Sequence, residues 1–270
     1  MPSTIVVIPA YNQCKSLRNL LPKIDFPFIV IDDGSTDGTL DYLLRENILH
    51  LYNEKNSGVS VSLANGVKYA LEHGYDRVVT FDSDGQHDQK HIRAFCEKLD
   101  QYDFVYGNRF SSLEYISSAK IASNMFASML TLVAFGVYIP DAACGFRGFR
   151  LEAGMDRRIN SLNAYQFVYY SLFDAIIKGK PLSAIEIEPI YYVNSLLCTR
   201  YIEIVSLIET VFMFTSLHIA GFDDFYCKIR QREDTSIAIS DCPFYFYYVS
   251  KHDAYIIQCD IKKAYDYYRR

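Results

Sequence analysis

Two aspartates one residue apart, Asp82 and Asp84, stand directly after the apolar run Val78-Val79-Thr80-Phe81. A β-strand sends alternate side chains to the same face, so both carboxylates can converge at its C-terminal end. In an open α/β sheet, ligands bind outside the carboxyl ends of the strands. Two hard oxygen donors there suit Mg²⁺ or Mn²⁺, with the other positions left to water and substrate phosphates. A polar turn after a strand is the plainer reading. A second acidic cluster, Asp32-Asp33, closes the run Phe28-Ile29-Val30-Ile31. Both clusters should face one rim of a sheet, which surface decoration does not explain. For Asp32 and Asp33 the alternative is a helix-capping turn.

The elements that must place these carboxylates follow from periodicity. Ile5–Ile8 is apolar without alternation, the pattern of a strand buried on both faces. Leu17, Leu20 and Leu21 then recur at helical spacing. The strand Phe28–Ile31 precedes a helix carrying Leu40, Leu43 and Leu44. A short strand at Ile48–Tyr52 precedes a helix through Leu63, Val67, Ala70 and Leu71, stopped at His73-Gly74. The central strand, a helix near His91–Leu99 and a strand at Phe104–Tyr106 complete the series. Such alternation predicts βαβ units and a mainly parallel sheet flanked by helices.

Composition narrows the classes. The 270-residue chain suits one large α/β domain with an appendage. A net charge of −5 gives no electrostatic support for nucleic-acid binding. Seven cysteines are scattered without a C-x-x-C pair, which argues against structural zinc and for a reducing compartment. No basic, apolar leader opens the sequence, so the expected location is cytoplasmic, with peripheral contact on the inner face of a membrane as an option. Met125–Ile139 is nearly free of charge, but about 15 residues fall short of a comfortable bilayer span. A buried or interfacial helix fits it better. Ala164–Ile177 is helical and aromatic, and Ile185–Tyr192 reads as a strand. Ile202–Ala220 is apolar at helical spacing but interrupted by Glu203, Glu209 and His218, so it reads as amphipathic.

Several motifs occur in a fixed order: Ile8-Pro9-Ala10-Tyr11-Asn12, Val30-Ile31-Asp32-Asp33-Gly34-Ser35-Thr36-Asp37-Gly38-Thr39, Asn56-Ser57-Gly58-Val59, Phe81-Asp82-Ser83-Asp84-Gly85-Gln86-His87 and Gly107-Asn108-Arg109-Phe110. Together they resemble the family 2 glycosyltransferases of the GT-A fold. The Asp-x-Asp-Gly-Gln-His form and the later Asp141-Ala142-Ala143-Cys144-Gly145-Phe146-Arg147 resemble the branch that holds dolichol-phosphate mannose synthase and polyprenyl-phosphate sugar transferases. The resemblance implies a catalytic domain over residues 1–195 and a C-terminal helical and aromatic extension over 196–270. It implies an inverting transfer of a sugar from a nucleotide-diphosphate donor to a polyprenyl or dolichyl phosphate, or to a glycan.

Site roles follow from the same resemblance. Pro9, Ala10, Tyr11, Gln13, Asp32, Asp33, Gly58, Asp82 and Ser83 would line the nucleotide. Asp82, Asp84 and Gln86 would hold Mg²⁺ or Mn²⁺. Arg109, Lys120 and Arg147 would face an acceptor phosphate, since arginine forks match its geometry. Asp141 would position the acceptor or act as base; together with Arg109 and Arg147 it makes the catalytic set. An acceptor phosphate is already anionic and needs no base, whereas a sugar hydroxyl does. Arg200 lies where a basic residue against the diphosphate is common.

Two departures are visible. Gln13 stands where the family commonly has Glu, and acidic residues common near Tyr165-Gln166 are missing. They support the alternative of a non-catalytic nucleotide-sugar-binding or scaffold protein. A nucleotidyltransferase on a related sheet would need a glycine-rich basic loop, which Pro9–Gln13 is not. Twelve of residues 221–270 are Tyr or Phe, and basic residues join them in 261–270. That stretch is expected to pack on the domain or mediate self-association, with membrane contact as the alternative.

Overall fold

The computed structural model describes residues 3–110, 118–162, 165–188, 190, 201–214, 244–249 and 254–259. For 118–123, 156–157, 201–205, 212, 244–249 and 254–259 it describes the backbone alone. The chain divides into two compact units. One comprises Met1–Leu113 and Ala143–Tyr192, the other Glu114–Ala142 and Val193–Arg270. The expected division, 1–195 and 196–270, is contiguous, whereas Glu114–Ala142 groups with the later part of the chain.

The first unit is built on a seven-stranded sheet. Its strands are β1 (Thr4–Ala10), β2 (Phe28–Asp32), β3 (His50–Tyr52), β4 (Arg77–Thr80), β5 (Phe104–Asn108), β6 (Arg147–Arg150) and β7 (Leu182–Glu186). Their order across the sheet is β3-β2-β1-β4-β6-β5-β7. From β1 the chain builds outward through β2 and β3, then returns to add β4 on the other side of β1. The strand order thus reverses between β1 and β4, the kind of crevice where open α/β sheets bind ligands. All neighbours are parallel except β6, which runs antiparallel to both β4 and β5. This insertion was not legible in the motif Arg147-Gly148-Phe149-Arg150, which is too short and polar to read as a strand. The strand expected at 185–192 begins earlier, at Leu182, and ends at Glu186.

Helices cover both faces because the central strands are apolar on both. Val6, Ile8, Val30, Val79 and Phe81 point into one core with Leu17 and Leu20 of α1 (Cys14–Leu20), Leu43 of α2 (Thr39–Arg45) and Phe95 of α4 (Ile92–Lys98). The alternate residues Ile5, Val7, Ile29 and Ile31 are equally buried on the other side. There α3 (Val59–Glu72) lies so close that Val7 packs directly on Gly66. The first unit also holds α6 (Met155–Ile159) and α7 (Gln166–Ile177), and Ser60 Oγ accepts the Phe167 N–H at 2.9 Å to tie α7 to α3.

The second unit contains α5 (Ser118–Phe135), α8 (Tyr201–Phe214) and a hairpin of β8 (Phe244–Val249) and β9 (Ala254–Cys259). Within it, Asn124 Nδ2 donates to Pro140 O at 2.6 Å, folding the segment after α5 back onto that helix. Phe135 and Phe214 meet edge to face at 6.4 Å. No helix among the described residues is long and apolar enough to cross a membrane. Within the aromatic stretch 221–270, Phe244–Val249 forms the strand β8. Arg200, His218, Tyr191, Tyr192 and the 261–270 tail lie outside the described residues.

Candidate active site

The strand order gathers the aspartates on one rim. Ala10 is paired with Asp32 in register, and Val7 with Thr80, so β1, β2 and β4 end side by side. Pro9, Ala10, Tyr11, Asp32, Asp33, Asp82, Ser83 and Asp84 therefore belong to one edge of the sheet. Tyr11 is exposed there and Ala10 is buried.

Three loops are stitched together at this edge. Asn12 adopts a left-handed conformation (φ 55°), which asparagine tolerates. Its N–H donates to Ser35 Oγ at 2.8 Å, and its Oδ1 accepts Thr36 N–H at 2.8 Å. The Gln13 side chain does not cap α1. Asp37 does so from the neighbouring loop, accepting Cys14 N–H at 3.0 Å while Thr39 Oγ1 donates to its other oxygen at 2.5 Å. Burial pushes the Asp37 carboxyl up, but these hydrogen bonds outweigh it and hold the group below its usual range. Ser83 Oγ donates to Pro9 O at 2.6 Å, and Ser16 Oγ donates to Ser83 O at 2.5 Å. Ser83 thus joins the β4 loop to β1, its hydroxyl turned to the backbone.

The two adjacent aspartates have different fates. Asp33 Oδ1 accepts from Asn53 Nδ2 at 2.8 Å and Ser57 N at 3.0 Å, and Oδ2 accepts from Gly58 N at 2.8 Å. Its carboxylate builds the 53–58 turn, whereas the resemblance implied a place lining the nucleotide. Gly58 (φ 95°) contributes through this turn as well. Asp32 is wholly buried; its Oδ1 accepts Ser35 N–H at 3.1 Å, and its Oδ2 has no hydrogen-bond partner.

Beyond β4, Asp84 is exposed and Asp82 and Gln86 are half-buried. Asp84 Oδ1 accepts Gln86 N–H at 2.9 Å, curling the loop through Gly85 (φ 78°). Beneath the loop Phe81 meets Phe146 edge to face at 4.9 Å, and Phe146 stacks on Phe95 at 4.1 Å. Burying each such ring contributes about 2–3 kcal/mol, so the loop rests on a rigid floor. No group of three or more His, Cys, Asp and Glu side chains among the described residues forms a cage for an ion. Two carboxylates and one amide oxygen nevertheless fit Mg²⁺ or Mn²⁺, which commonly take few protein ligands and share the rest with phosphates and water.

Arg147 is 1% exposed. Its Nε donates to Cys144 O at 2.7 Å, and its Nη1 donates to Val168 O and to Ser171 Oγ. Its guanidinium also lies 5.7 Å from the Phe104 ring centre. The residue fastens the start of β6 to α7, whereas the resemblance implied a cation facing an acceptor phosphate. Arg109 is buried, its guanidinium 5.9 Å from the Phe110 ring centre. Asp141 belongs to the second unit and is wholly buried. Lys120 lies on α5, with its side chain outside the described residues. Asn53 escaped sequence reasoning, and Asn12 and Asp37 entered it only as members of their motifs; short polar residues at strand ends were their only signal.

The fold and rim are those of a glycosyltransferase of the GT-A type. The chain belongs to glycosyl transferase family 2, whose family model matches residues 5–156. It is 29% identical over 197 residues to an uncharacterised protein of Methanocaldococcus jannaschii, covering 69% of this chain and 81% of that one. It is also 29% identical, over 55% of this chain and 69% of the other, to the UDP-N-acetylglucosamine–dolichyl-phosphate N-acetylglucosaminyltransferase of Methanococcus voltae. Among solved structures, glucosyl-3-phosphoglycerate synthase of Mycobacterium tuberculosis superimposes with a TM-score of 0.62 at 15% identity, covering 82% of each chain. The same enzyme has been solved with Mn²⁺, UDP and glucosyl-3-phosphoglycerate; that structure gives a TM-score of 0.57 at 14% identity, covering 96% of this chain and 88% of that one.

Proposed function

We propose that this chain moves a sugar from a nucleotide-diphosphate donor to a polyprenyl or dolichyl phosphate, with Mg²⁺ or Mn²⁺ and inversion at the anomeric carbon. The observation that carries the reading is Asp32 Oδ2, a buried carboxylate oxygen without a partner at the rim where β1 and β2 end. Leaving such an acceptor unmet costs about 1–3 kcal/mol. A ring N–H of a nucleotide base, inserted between the loops of Asn12 and Ser35, relieves that cost. Asp82, Asp84 and Gln86 hold the metal and the ribose–diphosphate end of the donor.

Mg²⁺ or Mn²⁺ held by Asp82, Asp84 and Gln86 would supply positive charge against the leaving diphosphate. An acceptor oxygen attacks the anomeric carbon opposite the diphosphate, which gives inversion in one displacement. A lipid phosphate attacks without a base. Arg109 remains a candidate to meet the phosphate. Relatives named for dolichyl-phosphate and undecaprenyl-phosphate transfer support the lipid acceptor, and a lipid substrate brings the protein to a membrane surface.

A thermal-shift screen of UDP, GDP and their sugar conjugates, with and without Mn²⁺, tests the reading on wild type, Asp32→Ala and Asp84→Ala. At a hundredfold excess over Kd, a ligand of the folded state adds about 2.7 kcal/mol. That corresponds to about 5–10 °C for a domain of this size. The shift should require metal in wild type and vanish in both variants. Absence of a shift with every nucleotide in a folded protein refutes the reading. Binding without sugar transfer to either polyprenyl phosphate or a glycan acceptor would support the non-catalytic alternative.

A further inference from the structure

The carboxylate of Asp82 is gripped by two residues outside the proposed ligand set. Gly145 is the first. A Cβ added at this position would meet Asp82 Oδ2 at 2.7 Å, Oδ1 at 3.1 Å and Cγ at 3.2 Å. Gly145 is not among the glycines with positive φ, so what it supplies is the missing side chain rather than an unusual backbone. Its own position is fixed. Thr80 Oγ1 donates to Gly145 O at 2.7 Å, and Arg147 Nε donates to the preceding carbonyl, Cys144 O, at 2.7 Å. A buried network reaching back to α7 therefore sets the surface against which Asp82 lies.

His87 is the second. Its Nε2 lies 3.4 Å from Asp82 Oδ2, and its side chain is 3% exposed. The ring packs among aromatics, with Phe146 at 5.5 Å and Phe81 at 6.3 Å between centroids. A carboxylate only accepts, so a hydrogen bond to it needs the proton on Nε2 and leaves the other ring nitrogen, Nδ1, to find its own partner. That Nδ1 is buried without a hydrogen-bond partner. An apolar side chain would fill this aromatic pocket without the orphaned nitrogen. Folding alone gives no reason for a histidine here; the carboxylate beside it does.

We propose that Gly145 and His87 are positioning residues that hold the Asp82 carboxylate in one orientation. The inference rests on the reading of Asp82 and Asp84 as nucleotide and metal ligands. Small divalent metals demand near-ideal geometry, so a carboxylate free to rotate binds them poorly. Partners that orient a ligand are commonly worth 10- to 100-fold in metal affinity. Gly145 removes the rotations that a side chain would otherwise force, and the His87 N–H anchors Oδ2.

The test is Mn²⁺ titration of the full chain, followed by electron paramagnetic resonance, with whichever of UDP or GDP the wild type binds. Variants are Gly145→Ala, His87→Leu, His87→Gln and Asp84→Asn, each with a thermal melt. Gly145→Ala should fold, because its new methyl group meets a movable carboxylate rather than backbone. It and His87→Leu should weaken Mn²⁺ about 10- to 100-fold. His87→Gln, whose amide N–H reaches the place of Nε2–H, should recover most of the loss. A purely structural role would lower the melting temperature without this selective recovery. The proposal fails if folded Gly145→Ala and His87→Leu bind Mn²⁺ like wild type while Asp84→Asn does not. It fails equally if His87→Gln is as impaired as His87→Leu. Should Asp84→Asn itself bind normally, the ligand assignment falls and takes this inference with it. If Gly145→Ala does not fold, the two His87 variants decide.

Discussion

Asp33 Oδ2 accepts the backbone N–H of Gly58 at 2.8 Å, across 25 residues of sequence. This bond, with those from Asn53 and Ser57 to Oδ1, makes one carboxylate the organiser of the turn between β3 and α3. Asp33→Asn places an amide N–H₂ among donors and leaves at least one of them unmet. The expected loss is about 1–3 kcal/mol, read from urea unfolding. Unchanged stability would show that the turn holds without the charge.

Arg147→Lys should act on stability before it acts on substrate. Lysine has no planar fork and cannot satisfy Cys144 O and Val168 O together. Each buried carbonyl left without a donor costs about 1–3 kcal/mol. A clear drop in melting temperature is expected. A variant as stable as wild type but deficient only in acceptor turnover would return Arg147 to the acceptor site.

Gly34 sits at φ 75° in the loop after β2, and a Cβ there would meet Lys55 C at 2.6 Å and Asn56 N at 2.8 Å. Backbone cannot step aside as a side chain can. Gly34→Ala should therefore destabilise by about 1–3 kcal/mol or more, from strain and clash together. Its nucleotide affinity should fall too, since the loop carries Ser35, the partner of Asp32. Wild-type melting and binding would contradict both.

Glu152 should make stability fall in acid. Burial alone raises its carboxyl, but hydrogen bonds and charge from Lys178 and Lys180 reverse this and bring it from 4.5 to about 2. Arg158 Nη2 adds a contact at 3.2 Å. A depressed folded-state value means the contribution is complete above pH 4.5 and disappears as pH falls toward 2. Glu152 is one-third exposed, so solvent screening reduces the effect to about 1 kcal/mol. In urea titrations at pH 7 and pH 3, Glu152→Gln should lose stability at pH 7 and narrow the gap between the two. An unchanged gap would remove Glu152 from the acid response.

The alternation of strands and helices through residue 108, and the acidic ends of β2 and β4, were legible in the sequence. Both are local. An apolar run declares a buried strand, and the polar residues that close it are its immediate neighbours. Tertiary structure decided which carboxylate is spent and which is open. Asp32 and Asp33 are adjacent and chemically identical, and only the folded position of Asn53, Ser57 and Gly58 separates them. It also decided that β6 enters the sheet antiparallel, that Arg147 turns inward, and that Gly145 lies against Asp82. Thr80 and Gly145, 65 residues apart, acquire a hydrogen bond only once β4 and β6 lie side by side. Periodicity encodes which residues are buried; hydrogen-bond partners distant in sequence exist only after the sheet has brought them together.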